Sequence, residues 1–386
     1  MLAIVNGKIY TMSSVDPQID GGTILMDNGR ITEIGRDIPV PSNAYVVDSA
    51  GAFVTPGLID AHSHLGVYSQ GYPDAEQDGN EMMSAITPHV RVIDSIYQND
   101  EGFADAVSGG VTCVQILPGS ANVICGQGAV VKTKSDIVDR MVVKAPSSMK
   151  AAFGENPKDT YQGSAKTHFT RMGNAALMRE AFVQAINYRE KRNSAFIKGE
   201  YAERDLVYEA LLLVLDEGLP LAAHAHRADD IATVVRIAEE FDIAYTVEHC
   251  TEGHLIATWL AEKKVRAAVG PTLSDRGKLE LRNKSWITPA ALHEAGVHVC
   301  LTTDHGVIPI EHLKVCAALA CSAGLPYMEA LRAVTLNGAE HLGISDRTGS
   351  LVPGKDADIV VWSGDPLDAR SAAKTVIIDG EIVRSV

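Results

Sequence analysis

The sequence has 386 residues, 46% of them hydrophobic, which is long enough for one large domain with a smaller one beside it. Its 34 basic and 49 acidic residues give a formal net charge of −15, which argues against nucleic acid or an anionic membrane as a partner. No apolar run reaches the ~18 residues of a membrane helix. Because no basic, signal-like segment starts the sequence, we expect a soluble cytoplasmic protein.

The six cysteines form no Cys-x-x-Cys pair, and most of them sit in apolar runs. This pattern is typical of reduced, buried thiols rather than of disulfides or a thiolate metal site. The residues concerned are Cys113, Cys125, Cys250, Cys300, Cys316 and Cys321.

Both ends of the chain predict short β-strands separated by turns. Near the start, β-rich runs on either side of Asn6-Gly7 predict a hairpin, and a second turn follows at residues 27–30. Residues 354–362 and 375–383 again predict strands, the latter around an Asp-Gly turn. Since neither end alone could bury a core, we predict that residues 1–53 and 349–386 form one composite β-sandwich domain.

Between residues 54 and 348, apolar strand-like runs alternate with helical patterns, which is typical of a parallel sheet. Eight strand candidates with intervening helices predict an α/β fold of the (β/α)8 TIM-barrel type, with its active site at the C-terminal strand ends. A doubly wound open sheet is the alternative, but no Gly-x-Gly-x-x-Gly follows a strand. The strand candidates are residues 54–64, 110–117, 126–132, 148–153, 219–226, 244–250, 265–271 and 297–304, and the longest helices are predicted over 174–192 and 204–217.

The first strand of this series ends in two histidines, His62 and His64. Because side chains alternate along a strand, both point to the same side. Three later strand candidates also end in a ligand-type residue, namely His224, His249 and Asp304. Packing gives no reason to place imidazoles at one rim, so the sequence predicts a divalent metal centre there. Imidazole and carboxylate groups suit zinc, and also manganese, iron or nickel.

Three segments resemble the amidohydrolase superfamily, nearest its imidazolonepropionase-like branch: Pro56-Gly-Leu-Ile-Asp-Ala-His-Ser-His64, Thr302-Thr-Asp304 and Gly354-Lys-Asp-Ala-Asp-Ile-Val360. The likeness extends over essentially the whole chain and is specific to the superfamily rather than to a substrate. It implies a (β/α)8 barrel, a terminal β-sandwich, and a centre of one or two divalent ions. The ligands implied are His62, His64, His224, His249 and Asp304.

The resemblance leaves open which residue bridges two metal ions. Hydantoinase-like and dipeptidase-like members use a carboxylated lysine on strand four, and Lys150 lies in a similar apolar context. A free ammonium would repel two dications, so Lys150 could serve only as an anionic carbamate. The deacetylase branch uses a glutamate instead, for which Glu155 is the candidate. We favour Lys150; the alternatives are a structural ion pair for Lys150 and a loop-capping or substrate-binding carboxylate for Glu155.

Further polar residues are predicted near the same cavity. His226 and Arg227 directly follow His224, and Arg227 either binds a substrate carboxylate or caps the next helix. His305 follows Asp304 and could bond the substrate or orient a ligand. Arg276, in the loop after strand seven, could receive an anionic group or be a solvated charge. The long loops 66–100 and 154–172 are candidates for lids.

Together these features predict a metal-dependent amidohydrolase that hydrolyses a carbon–nitrogen bond of a small polar molecule with metal-activated water. Asp304 is the predicted catalytic acid–base group. An imidazolonepropionase-like cyclic amide hydrolase is the leading interpretation. The alternatives are an Xaa-amino acid dipeptidase anchored by Arg227 or Arg276, a deaminase, and, in another class, a catalytically inactive scaffold protein. The predicted ion is Zn²⁺ before Mn, Fe or Ni, and barrel enzymes of this kind are commonly homo-oligomers.

Overall fold

The computed structural model describes residues 1–69, 77–134, 136–161 and 170–386. Parts of the two candidate lid loops, residues 70–76 and 162–169, lie outside the described residues. The strands are β1 (Leu2–Tyr10), β2 (Gln18–Asp27), β3 (Arg30–Gly35), β4 (Tyr45–Asp48), β5 (Phe53–Pro56), β6 (Leu58–Ser63), β7 (Val111–Ile116), β8 (Ile124–Gln127), β9 (Ala129–Lys132), β10 (Val142–Lys144), β11 (Met149–Ala152), β12 (Leu221–Ala225), β13 (Tyr245–His249), β14 (Arg266–Val269), β15 (His298–Leu301), β16 (Ile359–Trp362), β17 (Ala373–Ile378) and β18 (Glu381–Ser385).

The α-helices lie mainly between the central strands, as the alternating pattern predicts. The two long helices, α4 and α5, occupy the regions predicted for them, although α4 extends further at both ends. The helices are α1 (Glu101–Ser108), α2 (Val138–Met141), α3 (Glu155–Thr160), α4 (Arg171–Lys198), α5 (Leu206–Leu215), α6 (Ala228–Phe241), α7 (Ala257–Glu262), α8 (Ile287–Glu294), α9 (Leu313–Ser322), α10 (Tyr327–Ala333) and α11 (Leu336–Leu342).

The two ends of the chain build one sheet, in the order β18-β17-β16-β5-β1-β2-β3, with β4 paired to β1. Strand β16 from the C-terminal part pairs antiparallel with β5 from the N-terminal part. Buried aliphatic side chains from both ends pack on each other, including Ile4, Ile24, Val54 and Ile359. The expected joining of the termini through a shared β-rich core is therefore present, whereas the exact domain boundaries stay a prediction.

One predicted turn in this sheet is wrong. Asn6-Gly7 does not reverse the chain; it lies inside β1, where Asn6 has a φ of 58° and the register with β2 shifts between Ile4 and Gly7. The pair forms a bulge because the residues on both sides of it pair with the same strand, β2. The turns at residues 28–29 and 379–380 are confirmed as the links β2–β3 and β17–β18.

The central strands form two sheets, β10-β9-β7-β6 and β15-β14-β13-β12-β11-β8. Strands β11 to β15 are parallel to one another, as is β6 to β7. The prediction of a single third strand over residues 126–132 is wrong. The segment is divided between β8, which runs antiparallel to β11, and β9, which runs antiparallel to β7. The connection from β7 to its partner β9, which the structure describes in full, contains β8 and no helix, so it provides no helical crossover of the kind that usually joins parallel strands.

Most of the central strands are buried on both faces, and this explains their uninterrupted apolar sequences. All five residues of β12 and all six of β6 are buried. Helix α6 covers the sheet with Ile231, Val234, Val235 and Ala238, which recur at the spacing of one helical face. The core is therefore apolar along the strands, and polar side chains are concentrated at the strand ends.

The carboxyl ends of β6 and β15 meet at one edge. Asp304 donates its backbone N–H to the carbonyl of His62 at 3.1 Å, and His64 donates to the carbonyl of His305 at 2.9 Å. Ser63 and His305 form an isolated parallel bridge. The first and last strands of the central region therefore bring their terminal polar residues side by side.

The six cysteines are free, five of them buried and Cys321 partly so, which confirms the prediction of reduced, mostly buried thiols. Within the described ranges, no helix has both the length and the apolar character needed to cross a membrane.

A buried ion cluster ties the central region to the terminal sheet. Lys132, at the end of β9, is fully enclosed; its Nζ lies 3.0 Å from Asp356 and 3.2 Å from Asp379, and it also bonds Asp358. Burial lowers the pKa of Lys132, but the surrounding carboxylates outweigh it and raise the pKa overall. Two of these aspartates belong to the 354–360 segment that carries the family resemblance.

We predict that Lys132→Met lowers the free energy of unfolding by about 3–5 kcal/mol, because it leaves buried carboxylates without their cation. The matched control is Lys134→Met, whose lysine reaches Asp379 from a partly exposed position and should cost under about 1 kcal/mol. Urea unfolding of the two variants measures the difference. Equal losses would contradict a special role for the buried cluster.

Candidate metal centre

The predicted ligand residues converge in one buried site. His62, His64 and Asp304 offer ligand atoms that all lie within 4.8 Å of one another, and so do His224, His226 and His249. Rings of the two groups are adjacent, since the centroids of His62 and His249 are 4.7 Å apart. His226 was predicted as a substrate-binding residue or an alternative metal ligand. In the structure it belongs to the same group of potential ligands as His224 and His249.

Every imidazole in the site is fixed by a hydrogen bond at Nδ1. The Nδ1 partners are Glu248 Oε2 for His62 (2.9 Å), Leu117 O for His64 (2.8 Å), Ser120 Oγ for His224 (3.0 Å), Thr251 Oγ1 for His226 (2.7 Å) and Gly270 O for His249 (2.8 Å). With Nδ1 so engaged, each ring presents Nε2. Such outer hydrogen bonds set the tautomer and orientation of histidine ligands in metal sites.

Four of the five histidines are held in the uncharged form that metals bind. Burial, reinforced by Lys150, lowers the pKa of His62 to about 4. Burial likewise lowers the pKa of His226 to about 4 and the pKa values of His224 and His249 well below their usual range. Neutral imidazoles at physiological pH are ready to donate a lone pair.

Asp304 supplies the negative charge of the first group. Its Oδ1 lies 3.2 Å from His64 Nε2 and 3.5 Å from His62 Nε2. Burial raises the pKa of Asp304, but the neighbouring histidines, His249 first, outweigh that effect and lower the pKa overall. The residue is therefore a carboxylate.

The donor set fits a divalent ion. Among the described residues, Nε2 of His224, Nε2 of His249 and Oδ1 of Asp304 are buried without a hydrogen-bond partner. Buried polar atoms are rarely left unpaired, since each costs roughly 1–3 kcal/mol. Imidazole nitrogens and a carboxylate oxygen are ligands that Zn²⁺ and related ions accept.

The backbone at two of these residues adopts an unfavourable conformation. His249 has a φ of 70° and Asp304 a φ of 54°, both in the left-handed region that non-glycine residues seldom occupy. Each costs on the order of 1 kcal/mol or more and turns the side chain at the point where its strand ends. Strain of this kind is typical of sites where side-chain placement matters more than stability.

Lys150 lies at the bottom of the site. It is fully buried in β11, and its Nζ is 3.0 Å from Nε2 of His62. Burial lowers the pKa of Lys150, since a charged ammonium is disfavoured there. Glu155, the alternative to Lys150, begins α3 and reaches this region through its backbone N–H, which donates to Glu280 Oε2 at 2.9 Å.

The other predicted residues occupy less central positions. Arg227 forms a two-pronged salt bridge with Asp229, at 2.8 and 2.9 Å. Arg276 donates to the carbonyl of Lys284 and lines a neighbouring depression. His305 is buried, accepts a hydrogen bond from the backbone N–H of Ile310, and has its pKa lowered by burial to about 4.

Three buried carboxylates were missed by the sequence reasoning. Glu248 joins His62 to His341, whose Nε2 is 3.0 Å away; Asp60 is bonded by the Thr302 and Thr303 hydroxyls. Both interrupt apolar strands, and an acidic residue in such a run requires a partner, so that signal was present. Glu280 lies in a polar loop, where nothing local distinguishes it from a surface residue.

The site opens into a cavity of about 1040 Å³. Its lining combines four residues of the centre, His64, His224, His226 and Asp304, with polar groups from the surrounding loops. These include Tyr68, Asn80, Ser120, Asn156 and Lys278. The cavity is large enough for a small molecule, and its lining also includes apolar side chains such as Met82, Leu281 and Val307.

Comparison with known proteins gives consistent results. The amidohydrolase family profile matches residues 198–383. An amidohydrolase structure from Thermotoga maritima is 42% identical, with a TM-score of 0.96 and full coverage of both chains. Amidohydrolase tasK of Hapsidospora irregularis is 30% identical over 93% of this chain, which spans only 39% of tasK. An imidazolonepropionase of Cupriavidus pinatubonensis is 24% identical, covering 92% of this chain and 86% of that protein.

We predict that Glu248→Gln weakens metal binding by about 10–100-fold, because His62 loses the anionic partner that orients its ring. The control is Glu340→Gln, which changes a similar glutamate–histidine pair, with His298, outside the site. Competition with a chromophoric chelator measures both affinities. If the two variants bind metal alike, Glu248 does not support the centre.

Proposed function

The chain belongs to the amidohydrolase family, hydrolases of carbon–nitrogen bonds, and we propose that its substrate is a small polar molecule with a cyclic amide or related bond. The observation that carries this proposal is the convergence of buried imidazoles, each hydrogen-bonded at Nδ1, with one carboxylate beside the large cavity. The likeness to imidazolonepropionases supports the cyclic amide as the substrate class.

The proposed ligands of one or two divalent ions are His62, His64, His224, His249 and Asp304, with Zn²⁺ as the first choice. When bound, such an ion lowers the pKa of a coordinated water to about 7 and polarises the scissile carbonyl. Asp304 takes the proton of the attacking water on its carboxylate and later delivers it to the leaving nitrogen. His305 and Lys278 are proposed to help position the substrate, Lys278 because it lines the cavity.

Lys150 is the proposed bridging residue, as a carbamate formed with CO₂. Support comes from its full burial, its lowered pKa, and the proximity of its Nζ to His62. An uncharged amine is the form that reacts with CO₂, and the anionic product would suit two dications. Glu155, whose link to the region is a backbone N–H, is the weaker candidate.

We further propose that the central strands form a (β/α)8 barrel over residues 54–348, beside a β-sandwich of residues 1–53 and 349–386. The bridge between Ser63 and His305 supports closure on one side. On the other side, near the break between β8 and β9, the Gly128 N–H donates to the carbonyl of Ser148 at 2.9 Å and the Ser147 N–H donates to the carbonyl of Gly128 at 2.8 Å. Cytoplasmic location and a homo-oligomeric state stay predictions.

The substrate class is tested with a panel of cyclic amides, Xaa-amino acid dipeptides and amino-substituted heterocycles. We expect ring opening, seen as a gain of one water by mass spectrometry without release of ammonia or an amino acid. Release of an amino acid would support the dipeptidase, release of free ammonia would support the deaminase, and no turnover of any compound would support the inactive scaffold.

The Asp304→Asn variant should fold normally, and its kcat should fall by about 10²- to 10⁴-fold, because the amide cannot accept the proton of the attacking water. Unchanged turnover would contradict the proton-transfer role of Asp304.

For Lys150, we predict a carbamate signal in the ¹³C NMR spectrum of protein equilibrated with ¹³C-bicarbonate and Zn²⁺. The Lys150→Gln variant provides the control, because an amide cannot be carboxylated. A spectrum identical for the two proteins would leave the bridging role to another residue.

A further inference from the structure

Helix α4 extends beyond the surface that it covers. The helix spans Arg171–Lys198, but its buried residues end at Ala185. Residues 186–198 add about 20 Å of helix at a rise of 1.5 Å per residue. Most helical stability in proteins comes from the packing of an apolar face, so a helix end without a buried face gains little stability by itself. The end of α4 therefore needs a partner surface.

This end of the helix is a well-defined structure. Gly199 terminates it with a φ of 71°, and the Gly199 N–H donates to the carbonyls of Ala195 and Phe196. The N–H of Glu200 donates to the carbonyl of Ala195 at 2.9 Å. Together these bonds form a Schellman motif, the glycine-terminated helix end that satisfies the last carbonyls. The side chains of the last turn are therefore held in place.

Large apolar side chains are exposed where α4 ends and the chain returns to α5. The exposed fractions are 85% for Phe196, 83% for Ile197, 89% for Tyr201 and 64% for Leu206, and we call these four residues the apolar tip. One covered aromatic side chain buries ~150–250 Å². The apolar tip therefore reaches the ~300–600 Å² of the largest apolar patch on a typical monomer, and patches of that size are often functional.

The charges around the apolar tip balance one another. Residues 190–206 contain four basic and four acidic side chains, whereas the whole chain has a net charge of −15. Two copies of so acidic a protein repel each other over most of their surface, and this neutral segment is a place where they can approach. Lys198 precedes the turn at the tip, and Glu200 and Glu203 follow it. A two-fold arrangement sets the cation of one copy against the anions of the other.

We propose that the apolar tip packs against the apolar tip of a second copy of this chain, in a two-fold dimer. A standard interface covers ~800 Å² on each partner. The tip supplies a large part of that area, and the exposed flank of residues 190–195 supplies the remainder. A two-fold contact covers both tips at once, whereas a head-to-tail contact leaves one of them exposed. The balanced charge lacks the cationic excess that attracts an anionic membrane.

Sedimentation velocity of the full chain, over a wide range of concentration, tests this proposal. The wild type should form a dimer, or a larger assembly that consists of dimers. Phe196→Lys should weaken self-association by about 30-fold or more, the loss typical of an interface hot spot. Lysine suits the last turn of a helix, so the fold should be kept. The change also makes the chain less negative, so added repulsion between copies would not explain the loss.

Met172→Lys is the matched control, because Met172 is 79% exposed in the first turn of the same helix. This variant should associate like the wild type. A monomeric wild type would overturn the proposal, and so would a Phe196→Lys variant that associates as tightly as the wild type. Equal loss of association in both variants would also overturn it. A monomeric wild type that binds phosphatidylserine vesicles would assign the apolar tip to a membrane instead.

Hydrogen exchange provides a second readout, which locates the interface. The backbone amides of residues 193–198 should exchange more slowly in the associated wild type than in Phe196→Lys, because packing against a second copy suppresses opening of the helix end. Equal exchange rates in the two proteins, with the wild type associated, would show that another surface forms the contact and would overturn the proposal.

Discussion

The site depends on one constraint, which is that each histidine of the cluster is anchored through Nδ1. Backbone carbonyls hold His64 and His249, hydroxyls hold His224 and His226, and a carboxylate holds His62. An unanchored imidazole can rotate and exchange its tautomer, so five free rings would not present Nε2 together. The anchors come from β13 and the loops after β7, β13 and β14, and this is why the site requires the assembled sheets.

Charge organises the rest of the interior. Glu248 joins His62 and His341 inside the apolar layer, and burial of the whole group makes breaking either contact costly. The pKa of His341 is raised to about 10, because Glu248 and Cys300 outweigh the effect of burial. Lys132 plays a comparable part at the junction with the terminal sheet. The Glu248 cluster joins β6 and β13 to helix α11, and the Lys132 cluster joins β9 to the terminal sheet.

Much of this arrangement was predictable from local patterns. Apolar runs ending in His62, His64, His224, His249 and Asp304 indicated which side chains would meet, since strand alternation and a common rim are general properties of parallel sheets. The antiparallel return through β8 and β9 was not predicted, because an apolar run carries no direction. The Asn6-Gly7 bulge was mistaken for a turn, because the same dipeptide supports both and only the pairing partner distinguishes them.

The sequence by itself determined the family, the alternation of strands and helices, and the ligand-type residues at the strand ends, because these are recorded in residue identity and spacing. Only the tertiary structure decided which buried carboxylates contact the histidines, such as Glu280 beside His224 and His226, and Glu248 beside His62. These pairs are far apart in the chain, and a glutamate in a loop looks the same whether it is solvated or buried. What distinguishes them is the removal of water when distant segments pack together, which turns an ordinary carboxylate into one that must find a cation.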